Sequence, residues 1–108
     1  VVVEKAGTIF DPQGQATWIE GLDAFELTPL AHWLSPHTKG NYPQNWDITI
    51  PEMNWTLHMT TAVPDQEMVN PAKIYWEGSV VVAGKRGGTD VNGVGYVELT
   101  GYAKNVIW

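Results

Sequence analysis

The stretch Tyr75-Trp76-Glu77-Gly78-Ser79-Val80-Val81-Val82, read against Gly95-Tyr96-Val97-Glu98-Leu99-Thr100-Gly101-Tyr102, decides the fold. Both runs are rich in β-branched and aromatic residues, which suit a pleated sheet. They predict a hairpin with strands Ile74 to Gly84 and Gly93 to Ala103, joined by a loop over Lys85 to Asn92. Pairing Gly84 with Gly93 sets Ser79 opposite Glu98, Glu77 opposite Thr100 and Tyr75 opposite Tyr102. One face then carries Tyr75, Glu77, Ser79 and Val81 against Tyr96, Glu98, Thr100 and Tyr102. The other carries Trp76, Gly78, Val80 and Val82 against Gly95, Val97, Leu99 and Gly101. A slip of two residues keeps these faces; a slip of one mixes them.

In this register Glu77 and Glu98 are diagonal neighbours, with Cα atoms about 7–8 Å apart. Two readings of that face stay open. In one it lines a ligand cavity, where a desolvated carboxylate pair holds a proton and its protonated member is a general acid beside tyrosine hydroxyls. In the other the Trp76, Val80, Val82 and Leu99 face is buried and the glutamates are wet.

Working back along the chain, Trp46, Ile48 and Ile50 alternate with Asn45, Asp47 and Thr49. A turn over Pro51 to Asn54 follows. Trp55, Leu57 and Met59 then alternate with Asn54, Thr56, His58 and Thr60. This is a half-buried hairpin pattern. Val63 to Lys73 is polar and bounded by prolines, and reads as a loop in which Asp65-Gln66-Glu67 forms a cap or solvated turn. Thr28 to Gln44 is broken by Pro29, Pro36, Gly40 and Pro43, and reads as a long ordered loop tucked down by Trp33 and Tyr42. At the start, Val1 to Phe10 reads as a strand, Asp11-Pro12-Gln13-Gly14 as a turn, and Gln15 to Leu27 as an irregular extended segment interrupted at Gly21. These two segments form a further hairpin, and Asn105 to Trp108 a short last strand. The fold class is all-β, an antiparallel meander in one domain spanning residues 1–108 that curls toward a barrel.

Composition narrows the function. The 108 residues suffice for one domain. The 12 acidic against 6 basic residues give a net charge of −6, which excludes a nucleic-acid footprint of clustered Lys and Arg. There is no cysteine, so no disulfide framework and no thiolate chemistry. No run is long and apolar enough for a membrane helix. No signal peptide is legible, and because the chain opens at Val1 its absence decides nothing. His32, His37 and His58 lack metal-ligand spacing, Gly87-Gly88 precedes no helix that would cradle phosphate, and no nucleophile elbow is present. No metal or cofactor is expected.

Taken in order, Gly7-Thr8-Ile9-Phe10-Asp11-Pro12-Gln13-Gly14, Trp33-Leu34-Ser35-Pro36, Tyr42-Pro43-Gln44-Asn45-Trp46, Ile50-Pro51, Asp65-Gln66-Glu67, Tyr75-Trp76-Glu77-Gly78 and Gly93 to Tyr102 span nearly the whole chain. This series resembles the C-terminal part of the carotenoid 1,2-hydratase (hydroxyneurosporene synthase)/AttH-like group, many members of which carry only the label predicted secreted hydrolase. The Tyr-Trp-Glu-Gly and Gly-Tyr-Val-Glu-Leu-Thr-Gly-Tyr pair is its most specific part. The resemblance implies two lipocalin-like β-barrels in a longer chain, so that the present one forms a lipocalin-like barrel, whole or incomplete. The group's acidic, His-containing motif (Asp-His-Glu-Trp-like) has no counterpart here, so activity is expected to need a missing N-terminal domain or a second copy of the chain. It further implies a lipophilic ligand and, in the sharpest form, hydration of an isolated C=C bond. Protonation by a positioned acid would give a tertiary carbocation that water captures, with aromatic faces steadying the charge. Glu77 and Glu98 are the candidate catalytic acids. Tyr75, Tyr96, Tyr102, Trp33, Trp46 and Trp76 are the candidate ligand-lining residues. A non-catalytic carrier of lipophilic molecules and a structural or oligomerising module are the alternatives. A secreted or periplasmic location follows from the resemblance alone.

Overall fold

The computed structural model describes residues 4–104, nearly all of them in antiparallel β-structure. Strands β1 (Ala6–Phe10) and β2 (Ala16–Glu20) form a separate hairpin. The main sheet contains β3 (Glu26–Leu34), β4 (Asn41–Ile50), β5 (Trp55–Thr61), β6 (Glu67–Val69), β7 (Ile74–Arg86) and β8 (Thr89–Thr100). A 3₁₀ turn, Pro51–Met53, joins β4 to β5. Along the sheet β3 pairs with β4 and β4 with β5. One edge of β7 takes β5 and then β6, while β8 runs along its other edge. Among the described residues β3 and β8 do not pair with each other, so the sheet is an open, unclosed barrel wall. The expected strand at Asn105 to Trp108, and Val1 to Val3 of the first, lie outside the described residues.

The loop expected over Thr28 to Gln44 is instead most of β3 and the first half of β4. Pro36 lies in the turn between them, and the other two prolines sit where the ladder has a free side. Pro29 is on an edge strand, and Pro43 is in the half of β4 that β5 does not reach. Where β5 leaves β4, Asn45 takes a positive φ of 58°, which Asn tolerates better than most residues. Its Oδ1 accepts the Thr61 N–H at 3.0 Å and replaces a ladder bond there. The segment Val63 to Lys73, expected as loop, contains β6, a strand too short for its alternation to be read. The extended segment expected over Gln15 to Leu27 is split, with β2 ending at Glu20 and β3 starting at Glu26.

The last hairpin differs from expectation by two residues. Its loop is only Gly87-Gly88, both at positive φ (59° and 86°), as a tight two-residue hairpin turn requires. The strands therefore run on to Arg86 and Thr89, Gly84 faces Val91, and Glu77 stands directly across from Glu98. Because the slip is even, the predicted faces survive.

Register propagates those faces across the sheet. One face joins Ile48, Trp46 and Ile50 of β4 with Trp55, Leu57 and Met59 of β5, then Trp76, Val80 and Val82 of β7, then Val91, Val97 and Leu99 of β8. The opposite face carries Asp47, Thr49, Thr56, His58, Thr60, Glu77, Ser79, Glu98 and Thr100. Trp46, Ile50, Ile74, Trp76 and Val80 are buried on the first face; Tyr42 of β4 and Ile19 of β2 are buried as well. Burying one such side chain stabilises the fold by about 1.5–3 kcal/mol. Gly84 is needed because a Cβ there would run into the backbone of Thr56.

Candidate functional site: an apolar sheet face and a carboxylate clamp

The apolar face is continuous but only partly covered. Ile48, Trp55, Leu57, Met59, Val82, Val91, Val97 and Leu99 all keep intermediate exposure. The β1–β2 hairpin lies beside one end of it, where Ile9, Phe10 and Thr17 line a cleft with Met53 and Trp55. The remainder is an open wall of aromatic and aliphatic side chains.

The other end of the sheet is closed by a polar cluster. After β3 the chain turns through Ser35 to Gly40, with Ser35 N–H donating to the Gly40 carbonyl and Lys39 N–H to the Ser35 carbonyl. The Ser35 side chain is fully buried, and its Oγ accepts the N–H groups of His37 (3.0 Å) and Thr38 (3.1 Å). It donates to Glu67 Oε1 at 2.5 Å. Thr38 Oγ1 and the Tyr42 hydroxyl both donate to Glu67 Oε2 at 2.7 Å. Three hydroxyls from the β3–β4 turn and β4 thus converge on one carboxylate of β6. Beside them, His37 Nε2 lies 2.8 Å from Asp65 Oδ2.

Electrostatics fixes what the cluster can do. Partial burial pushes the Glu67 carboxyl up, but hydrogen bonds from Ser35, Tyr42 and Thr38, with His37 nearby, outweigh it and hold the group below the ordinary carboxylate range. Burial, together with the bond to Glu67, raises the Tyr42 hydroxyl far above its usual value, so it remains a donor. Its hydrogen bond to Asp65, with that carboxylate's charge, raises exposed His37 above the ordinary imidazole value. An ionised carboxylate only accepts, so Glu67 cannot deliver a proton at neutral pH. Nor is Ser35 a nucleophile, since its one proton goes to Glu67 and its oxygen already takes two backbone N–H groups. The arrangement is a clamp between β6 and the β3–β4 turn.

Aromatic rings seal it. Trp33 and Tyr42 stack at 6.1 Å between centroids, and Tyr102 leans on Tyr42 at 5.9 Å. Gly40 sits so close to Ala103 and Tyr42 that a side chain there would collide with both.

The eight residues singled out from sequence fall into three places. Trp33 and Tyr102 meet at Tyr42 beside the clamp. Trp46 and Trp76 are buried on the apolar face, where Trp76 Nε1 donates to the Pro64 carbonyl at 2.8 Å. Tyr75, Glu77, Tyr96 and Glu98 share the opposite face. There the Tyr75 hydroxyl donates to Glu77 Oε1 at 3.2 Å, Lys73 Nζ lies 3.8 Å from Glu98 and 4.6 Å from the Tyr75 ring centre, and burial and then Glu77 raise the Tyr75 hydroxyl. The six aromatics therefore do not share one site. Of the histidines read as metal-free, His58 pairs across the strands with Asp47 and His32 is exposed on β3.

Sequence reading gives Glu67 only as part of a cap or solvated turn and not as a convergence point. The available signal was the motif series itself. Trp33 to Pro36, Tyr42 to Trp46 and Asp65 to Glu67 are distant in sequence, yet the structure gathers their polar residues onto the Glu67 carboxylate and its neighbour Asp65.

Comparison with known proteins agrees with this architecture. A search of curated proteins finds no match. The chain is similar to the crystal structure of a candidate AttH protein from Nitrosomonas europaea, with 30% identity and a TM-score of 0.72 over 90% of this chain. It spans 29% of that protein's length. The AttH-like family model matches residues 2–102, from the first hairpin through Tyr102, and so takes in both the apolar wall and the clamp. The chain belongs to the AttH-like family.

Proposed function

We propose that this chain forms one wall of a lipocalin-like binding site, and that its apolar face holds a lipophilic small molecule in concert with the rest of a longer AttH-like protein. One observation carries the reading. Trp55, Leu57, Met59, Val82, Val97 and Leu99 form a continuous face that the chain itself leaves partly open. Open apolar surface of this kind marks ligand grooves or interfaces. The clamp stiffens the end of that wall and takes no part in chemistry.

The test is quenching of tryptophan fluorescence by oleyl alcohol. Saturable quenching is expected from the unaltered protein. Met59→Glu, at the centre of the face, should weaken it by more than about tenfold, because holding a carboxylate against an apolar molecule is costly. Thr60→Glu, one residue along on the polar face, should leave it intact. No saturable quenching, or equal effects of the two substitutions, overturns the reading.

Hydration of an isoprenoid C=C bond is the finer proposal. It is favoured by Glu77 and Glu98 standing directly opposite each other with the Tyr75 hydroxyl on Glu77. Those carboxylates lie on the far face from the apolar wall, so they would act on a molecule held against that outer surface. Glu77→Gln and Glu98→Gln in full-length protein should each abolish product formation. Unchanged activity in both removes the proposal.

A further inference from the structure

The apolar wall ends at a cleft of about 380 Å³ between the β1–β2 hairpin and the β5–β7 pair. Ile9, Phe10, Met53 and Trp55 supply its apolar lining, and Arg86 stands at its side. Arg86 pairs directly across the ladder from Trp55, on the apolar face, with its guanidinium 5.8 Å from the Trp55 ring centre. It is the one arginine of the chain. Among the described residues it forms no ion pair, whereas neighbouring Lys85 is held by Asp90 on the other face. The carboxylate in the lining, Asp11, makes no ion pair with it, and its Oδ1 accepts the N–H groups of Gln13 (3.0 Å) and Gln15 (2.8 Å).

These features join a planar, permanently charged donor to an apolar trough. A guanidinium stacked on an indole keeps its N–H fork free for a carboxylate, which it binds in two parallel hydrogen bonds. In a protein of net charge −6, an arginine at the mouth of an apolar face, without an ion pair among the described residues, meets a negative head group with attraction. We propose that the ligand of the apolar face is an anionic amphiphile, a long-chain carboxylate. Its head group pairs with Arg86, and its tail passes Trp55 and Phe10 onto the wall at Leu57 and Met59. This rests on the reading of that face as a lipophilic site and adds the ligand's charge.

The experiment compares oleate with oleyl alcohol, both below the concentration at which they aggregate, by quenching of tryptophan fluorescence in the unaltered protein, Arg86→Met and Arg86→Lys. Oleate should bind the unaltered protein about tenfold more tightly than the alcohol, the scale of one charge-assisted pair at a partly exposed site. Added salt should narrow the gap. Arg86→Met keeps much of the apolar stem and should bring the two ligands to equal affinity, while Arg86→Lys should keep part of the preference. Alcohol binding as tight as oleate in the unaltered protein, or an oleate preference that survives Arg86→Met, overturns the charge assignment and leaves the apolar-face reading standing. If neither molecule quenches saturably, the apolar-face reading falls, and this inference with it.

Discussion

Replacing Glu67 by Gln tests the clamp most directly. The change keeps the side chain's shape but removes its charge and turns one acceptor oxygen into a donor nitrogen. Ser35 and Tyr42 are both fully buried, and each gives its proton to Glu67 at 2.5 and 2.7 Å. Gln can accept from one side but not from both, so at least one buried hydroxyl loses its acceptor. An orphaned buried hydroxyl costs about 1–3 kcal/mol, and the bonds that remain drop from charge-assisted to neutral strength. The expected loss is about 2–3 kcal/mol, a large part of a small domain's stability. Urea denaturation measures it as a lower midpoint at unchanged slope. The pH dependence adds a second constraint. Glu67 has a depressed carboxyl in the folded state, so its contribution is fully present above the ordinary Glu range and is lost as pH falls through the lower folded value. The gap between the unaltered protein and Glu67→Gln should therefore be widest at neutral pH and close in acid. Equal midpoints at pH 7, or a gap that does not change with pH, would refute the clamp.

Two further outcomes follow from the same geometry. His37 should titrate above the ordinary imidazole value by NMR, and Asp65→Asn should bring it back down; the pairing supports the fold below the ordinary His value and is lost as pH rises through the raised one. Gln44 is buried, with Nε2 donating to the Pro43 carbonyl at 2.9 Å and Oε1 without a partner among the described residues. Gln44→Met should be no less stable than the parent and gain up to about 1 kcal/mol in urea denaturation, because it releases an unsatisfied acceptor at the cost of one neutral bond; a loss above that size would show that the amide is satisfied in solution.

The sequence carried the sheet's two faces because side-chain alternation is a local property, and an even slip does not disturb it. Trp46, Ile48 and Ile50 and then Trp55, Leu57 and Met59 were placed correctly for that reason. The hairpin register was not legible, because Gly84, Gly87, Gly88 and Gly93 all offer turns and only the folded chain selects Gly87-Gly88. β3 was hidden because Pro29 reads as a breaker unless the strand is known to lie on an edge. The clamp was hidden for a different reason. Ser35, Thr38, Tyr42 and Glu67 form no pattern at any fixed spacing, and their meeting depends on β6 and the β3–β4 turn reaching the same end of the sheet. The division of Tyr75 and Tyr96 from Trp46 and Trp76 between opposite faces follows from their parity along the strands.

In polymer terms Glu67 is a reversible crosslink. Its bond to Ser35 joins points 32 residues apart and closes a loop containing all of β4 and β5. Those two strands are also held by their own ladder, and β5 by β7, so weakening the crosslink loosens the attachment of the Ser35 to Gly40 turn without releasing the strands between. A proton on Glu67 removes its charge and weakens its hydrogen bonds, while His37 and Asp65 still tie the same turn to the segment before β6. Acid should therefore loosen one end of this sheet as a local event, at a cost well below that of global unfolding. The apolar wall would stay assembled while its far end loosens.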